Sequence, residues 1–344
     1  GRAGREDAVR CAGVSLVPSA AAFLRRFAAA PSVELHLHLE GAVSAAALVR
    51  LSSRSPAPIF PDLASVRSRR RHLGSPAAFF ALYRDVCRQI RSAADYALVA
   101  RALTARLARE RIRHAEVYVS PAVAEKLGLD WLEVRAAIER VFAAHEAAGR
   151  GRILVLLDVV RHWGPASADR VLALHESNPW RRAVGLGLGG EESALPARDF
   201  ADAFRRGRRL GLMPVAHAGE WAGPDSVAET LRFLHPVRIA HGIRAAEDAA
   251  LLREIVRRGV VCDVCPTSNL ATGAVTAGAV HPVRALLTAG VPVTLSTDDP
   301  GLFGTTLRRE YRRVAEWGAS GAELAACART ARQAAARTRS YSAT

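Results

Sequence analysis

Short runs of aliphatic and β-branched residues recur along this chain, each followed by a stretch whose apolar positions repeat every three to four residues. The runs read as strands at 33–39 (VELHLHL), 114–121, 153–160, 183–190, 214–220, 238–243, 260–266 and 292–299. The stretches between them read as helices at 96–111, 131–148, 200–211, 226–234, 245–259 and 281–290. Strands alternating with helices require parallel pairing through crossovers. Eight such units in about 270 residues imply a closed (β/α)8 barrel. A doubly wound open sheet is the alternative, but it has fewer strands and a glycine-rich phosphate turn that is missing here. Residues 44–92 form a helical insertion after the first strand, and the chain from Leu307 onward is helical and rich in Arg and Ala. Residues 1–30 are expected as an arm or short helix, and 31–344 as a single barrel domain without internal repeats or linkers.

Composition fits this picture. The chain has 344 residues, half of them hydrophobic, which is enough for the core of one large barrel. Its net charge of +15 raises the question of a nucleic-acid partner. Of the 48 basic residues, however, only Lys126 is a lysine, and the arginines lie scattered on helices such as FADAFRRGRRLGL, opposite apolar faces. That pattern reads as solvated surface with Arg/Ala coding bias, so no nucleic-acid partner is expected. The five cysteines (Cys11, Cys87, Cys262, Cys265 and Cys327) suit a reducing compartment. Cys262 and Cys265 lie in VVCDVCPTSN with no second pair and read as core. No apolar run reaches the ~20 residues of a membrane span. Residues 12–24 make only a poor signal peptide, so the expectation is cytoplasmic with no membrane association.

The polar residues that interrupt the strands carry the chemistry. In VELHLHLEGA, His36 and His38 share one strand face while Leu35, Leu37 and Leu39 take the other. Two imidazoles on one apolar face are either core histidines with separate partners or a pair that shares a metal. The fifth strand ends in His217 and Glu220, the sixth in His241, and the eighth in Asp298 and Asp299. Barrel strands converge at their C-terminal ends. Three imidazoles and one carboxylate there make a plausible Zn²⁺ shell, leaving one His, one Glu and one Asp for acid–base work.

These segments resemble the adenosine deaminase family of the amidohydrolase superfamily from about Val33 to about Arg313. The motifs are ELHLHLEGA, AEVYVSPA, VGLGLGGEE, AHAGE, IAHGI, VCPTSN and TLSTDDPGLFGTTL, in that order. The resemblance implies that His36, His38 and His217 bind one Zn²⁺ with Asp298, and that a water acidified by the ion attacks purine C6. His241 would take the water proton, Glu220 would donate to N1, and Asp299 would hydrogen-bond N7 or orient the tetrahedral adduct. The Gly190 N–H would reach N3. Ammonia leaves and a 6-oxopurine remains. Phe79, Phe80, Leu82 and Tyr83 would form either a lid or ordinary core. Two-metal relatives carry a lysine where the fourth strand here ends in GLGG, which argues for a single ion. The H-x-E/P-C-x-x-C deaminases are rejected because Glu220 lies three residues after His217. A non-catalytic basic binding protein is disfavoured, since every expected ligand and acid is retained.

The resemblance leaves four substrates: adenosine, adenine, N6-substituted adenines and 6-aminodeoxyfutalosine. Adenosine enzymes of the animal type place an Asp against the ribose where this chain has Glu40, one methylene longer. Gly187 and Gly189 offer compensating room, so the expected substrate is adenosine, with adenine or 6-aminodeoxyfutalosine as alternatives. The tail ARTARQAAARTRSYSAT lacks the family's N-x-x-x-x-S-F signal, which puts the last helix in question.

Overall fold

The computed structural model describes residues 17–71 and 73–341. Its strands are β1 (Ser32–His38), β2 (Ile112–Val119), β3 (Arg152–Val160), β4 (Ala183–Gly189), β5 (Met213–Ala218), β6 (Arg238–His241), β7 (Val261–Val264) and β8 (Val293–Leu295). They form one parallel sheet in sequence order. Past the end of β8 the chain closes onto β1. The His38 N–H donates to the Asp298 carbonyl at 3.0 Å, and the Asp298 N–H donates to the His36 carbonyl at 3.1 Å. The (β/α)8 barrel is therefore present, and three residues of the expected metal set, His36, His38 and Asp298, lie on its seam.

Strand after strand is buried on both faces, as a parallel barrel requires, and the strands read as near-continuous aliphatic runs for that reason. In RILVLLDVV (β3) every residue but Arg152 is buried. The interruptions are paired. Arg238, at the start of β6, lies between Glu116 at 2.6 Å and Asp263 at 2.8 Å, and Thr294 donates to Asp263 at 2.6 Å.

The insertion after β1 contains helices Ala45–Ser52, Leu63–Arg71 and Pro76–Cys87. Pro76–Cys87 starts sharply because Pro76 occupies its first turn and the Ser75 hydroxyl accepts from the Ala78 N–H. A helix at Pro165–Ser177, between β3 and β4, was not expected from the sequence. Its only buried residues are Ala168, Val171 and Leu172, too few for a clear apolar stripe. The tail forms one long helix, Gly321–Tyr341, which sets Ala331, Ala334 and Ala335 against Leu35 on the outer side of β1. Helix Pro18–Ala29 packs against that helix; the rest of the expected N-terminal arm, residues 1–16, lies outside the described residues. Cys87, Cys262, Cys265 and Cys327 are buried free thiols; Cys11 is outside the described residues. No described helix is long and apolar enough to cross a membrane.

Candidate metal centre and active site

His36 and His38 project from β1 into the barrel mouth, where β5 brings His217 and the turn after β8 brings Asp298. One ligand atom from each of these four lies within 4.8 Å of all the others. Asp298 Oδ1 stands 3.1 Å from His36 Nε2 and 3.3 Å from His38 Nε2. His36 Nε2 is nonetheless without a hydrogen-bond partner of acceptable angle, and so is His36 Nδ1. His38 Nε2 and His217 Nε2 face each other at 3.3 Å. The His217 Nδ1 proton goes to the Leu188 carbonyl at 3.0 Å, which leaves a lone pair on Nε2. Nitrogens buried this closely with nothing between them are expensive unless a shared cation takes their lone pairs. The donor set therefore fits a single divalent metal. A second trio, His241, Cys265 and Asp298, is also within reach of one ion. Burial raises the Cys265 thiol well above its usual range, however, and its sulfur leans on the Asp263 carbonyl, so it is the poorer set.

Electrostatics divide the two adjacent aspartates. Burial disfavours the Asp298 anion, yet the His36 and His38 imidazoles hold its carboxyl well below the usual range. Burial raises the Asp299 carboxyl well above that range, and the Asp298 charge adds to the effect. Asp298 adopts a left-handed backbone, φ 64°, which is unusual for a residue other than glycine. That bend turns both side chains of the pair into the same cavity, where an extended strand would point them to opposite faces. Asp299 fits because Gly41 has no side chain: a Cβ there would lie 1.6 Å from Asp299 Oδ1.

Glu220 and His241 complete the floor, with Glu220 Oε2 3.3 Å from His241 Nε2. Burial pushes the Glu220 carboxyl well above its usual range, and the charges of Asp298 and Glu192 add to the effect, which favours the protonated form. Burial keeps His241 neutral. Its Nδ1 is 3.0 Å from the Asn269 amide, whose Oδ1 has no partner as placed. Turning that amide over satisfies Oδ1, puts the imidazole proton on Nδ1 and leaves Nε2 as a base.

The cavity above this floor holds about 550 Å³ and is lined by Phe79, Phe80, Tyr83, Gly190 and Trp221 besides the polar groups. Of the four residues weighed as lid or core, Leu82 does not line the cavity and packs into the core. Glu40 departs from expectation. It is 1% exposed and is not part of the cavity wall. Its carboxylate accepts from the Tyr96 hydroxyl at 3.1 Å and the Tyr83 hydroxyl at 3.3 Å. The extra methylene that was to carry it toward a sugar carries it between two tyrosines.

Sequence reasoning passed over three residues. Asn269 faces His241. Asp158, in β3, lines the cavity, and burial raises its carboxyl to about 7. Glu192 accepts from the backbone N–H groups of Gly219, Glu220, Trp221 and Ala222 and from the Ser226 hydroxyl. One buried carboxylate thus holds the whole loop that carries Glu220. Hydrogen bonds to a charged group contribute roughly 1.5–3 kcal/mol each. Glu192→Ala is expected to lower kcat by ~10–100-fold while His217, fixed in its strand, keeps the metal. Kinetics with metal analysis checks this, and an unchanged kcat would refute the clamp. The sequence signal was present as the second Glu of GLGGEE, but nothing in the sequence links it to a loop 27 residues downstream.

The profile of the family described as adenosine deaminase matches residues 31–341. The aminodeoxyfutalosine deaminase of Acidothermus cellulolyticus is 35% identical over 305 residues, covering 84% of this chain and 83% of its own. The adenine deaminase of Agrobacterium fabrum is 36% identical over 305 residues, covering 87% and 91%. Among solved structures, the adenine deaminase of Arthrobacter aurescens superposes with a TM-score of 0.83 at 26% identity, covering 91% of this chain and 98% of that one.

Proposed function

Because this chain belongs to the adenosine deaminase family, we propose that it hydrolyses the exocyclic amine of a 6-aminopurine, with free adenine as substrate and one Zn²⁺ as its metal. The observation that carries this reading is the convergence of His36, His38, His217 and Asp298 with Glu220, His241 and Asp299 on one buried floor. Three imidazoles and a carboxylate suit Zn²⁺, which when bound acts as a Lewis acid and brings the pKa of water toward neutrality.

The remaining work falls to this chain's own side chains. His241 Nε2 takes a proton from the water as its oxygen adds to C6. Glu220, a neutral acid, gives its proton to N1, which localises the ring electrons and makes C6 electrophilic. Asp299, held protonated, donates to N7, and the Gly190 backbone serves N3. The C6–N6 bond then breaks, the amine leaving as ammonia with the proton held by His241, while the C6 hydroxyl gives its proton back to Glu220 as the 6-oxo group forms. One water is consumed and a 6-oxopurine is formed. Phe79, Phe80 and Tyr83 cover the cavity and limit competing solvent.

Adenosine is the expectation when Gly187 and Gly189 are read as room for a sugar beside Glu40, but Asp158 lies against both glycines and the Glu40 carboxylate is occupied by Tyr83 and Tyr96. The adenine deaminases among the relatives support the free base. A second reading, 6-aminodeoxyfutalosine, is favoured by the cavity volume of about 550 Å³, larger than a bare purine fills. On the zinc-loaded protein, kcat/KM for adenine is expected to exceed that for adenosine and for 6-aminodeoxyfutalosine by tenfold or more. A tenfold preference for 6-aminodeoxyfutalosine would replace the first reading by the second.

A further inference from the structure

One buried polar group in the cavity has no part in the chemistry described so far. Asp158 is 8% exposed, lines the cavity, and its Oδ1 has no hydrogen-bond partner. The Ser120 hydroxyl nearby is spent on the Asp158 backbone carbonyl at 3.1 Å. A carboxylate oxygen kept this dry and unpaired is costly, and such groups concentrate where a ligand supplies the missing donor. β4 is shaped around it. A Cβ at Gly187 would lie 2.9 Å from Asp158 Oδ1, and one at Gly189 would lie 3.1 Å from Oδ2. A side chain at Gly187 would crowd both this carboxylate and the Tyr118 ring, and one at Gly189 would press on the carboxylate. The room that two glycines leave is filled by this carboxylate and is not open to substrate.

Its position relative to the purine follows from the reading above, on which this inference rests. With C6 over the metal donors, N1 at Glu220 on the β5 side and N7 at Asp299 after β8, the N3–C4–N9 edge is turned toward the walls of β3 and β4. Gly190 stands on that side for N3, and Asp158 adjoins Gly189 next to it. A free 6-aminopurine presents a donor on this edge, the N9–H. An N9-glycoside has none there and adds bulk at the same point.

We propose that Asp158 is a specificity-determining residue that accepts a hydrogen bond from N9–H and so selects the free base over N9-substituted purines. A carboxylate–N–H pair is charge-assisted and directional. A site built to receive a donor rejects the analogue that lacks it, because its own buried group is then left unpaired.

9-Methyladenine is the discriminating probe, since it removes the N9 proton with one methyl of added volume. Zinc-loaded wild type is expected to prefer adenine over 9-methyladenine by at least ~100-fold in kcat/KM. Asp158→Asn and Asp158→Ala are expected to bring that ratio below ~10, chiefly by losing adenine turnover, with zinc content unchanged. Calorimetry gives a second readout. Hypoxanthine should bind wild type more tightly than 9-methylhypoxanthine does, and the gap should shrink in both variants. Equal wild-type activity on adenine and 9-methyladenine would overturn the role of Asp158 and leave the deaminase reading standing. Equal proportional losses on both purines in the variants would overturn it too, as would an Asp158-dependent preference for adenosine, which would assign the carboxylate to a sugar hydroxyl. If the zinc-loaded wild type deaminates no aminopurine at all, the functional reading itself fails and this inference falls with it.

Discussion

Replacing Glu220 by Gln is expected to lower kcat by ~10²–10⁴-fold while leaving the zinc stoichiometry and the fold intact. Gln is nearly isosteric and keeps the N–H and C=O groups that can satisfy the loop, so packing changes little. What it cannot do is deliver a proton to N1. The carboxyl is biased toward the protonation state the task needs, because its burial and the charges of Asp298 and Glu192 favour the protonated form. Its position is held from outside by Glu192 through the backbone N–H groups on either side of it. Glu220 is not in the metal set, so its loss should spare metal affinity. Steady-state kinetics paired with zinc analysis measures both quantities. A variant that keeps more than about a tenth of wild-type kcat would remove Glu220 from the role of acid, and one that loses zinc would place it in the metal shell instead.

How much of this was legible in the sequence depends on the distance over which each signal acts. The eight strands were visible because parallel strands buried on both faces leave continuous aliphatic runs, and their order in the barrel follows from the crossover rule. The helix Pro165–Ser177 was not, because it buries only a narrow strip. His36, His38, His217 and Asp298 were found together because each sits at a strand end, and strand ends meet in a barrel. Glu40 was misplaced. Its distance from His38 along the chain is that of a pocket residue, but its side chain is claimed by Tyr96, 56 residues downstream, which no local pattern announces. Asp158 hid inside LLDVVR, where one acid among aliphatic residues reads as an interruption. Only the facing glycines of β4, across a strand pair, give it meaning. The left-handed turns at His241 and Asp298 likewise carry no sequence mark, although they aim the catalytic groups.

That turn at Asp298 decides the other large effect, a split between two adjacent carboxylates. Asp298→Ala is expected to lose the metal and with it more than ~10³-fold in activity, whereas Asp299→Ala should keep the metal and lose activity by less. The geometry separates them. Asp298 Oδ1 is 3.1 Å and 3.3 Å from the Nε2 atoms of His36 and His38, and the surrounding imidazoles keep the carboxyl ionised, as a metal ligand must be. Asp299 is held protonated by burial and by Asp298, its Oδ1 has no protein partner, and its place under Gly41 is set by shape. In the proposed mechanism it donates to the purine. Deleting Asp298 removes one of four donors and the only carboxylate in the set. Deleting Asp299 leaves all four donors in place, so metal affinity should hold. Zinc titration of the apoprotein, followed by activity at saturating zinc, reads the two effects apart. Saturating zinc should restore little to Asp298→Ala, since one of the four protein donors is gone. Equal loss of metal in both variants would show that the pair acts as one ligand and would reject the division of labour that the bend at Asp298 creates.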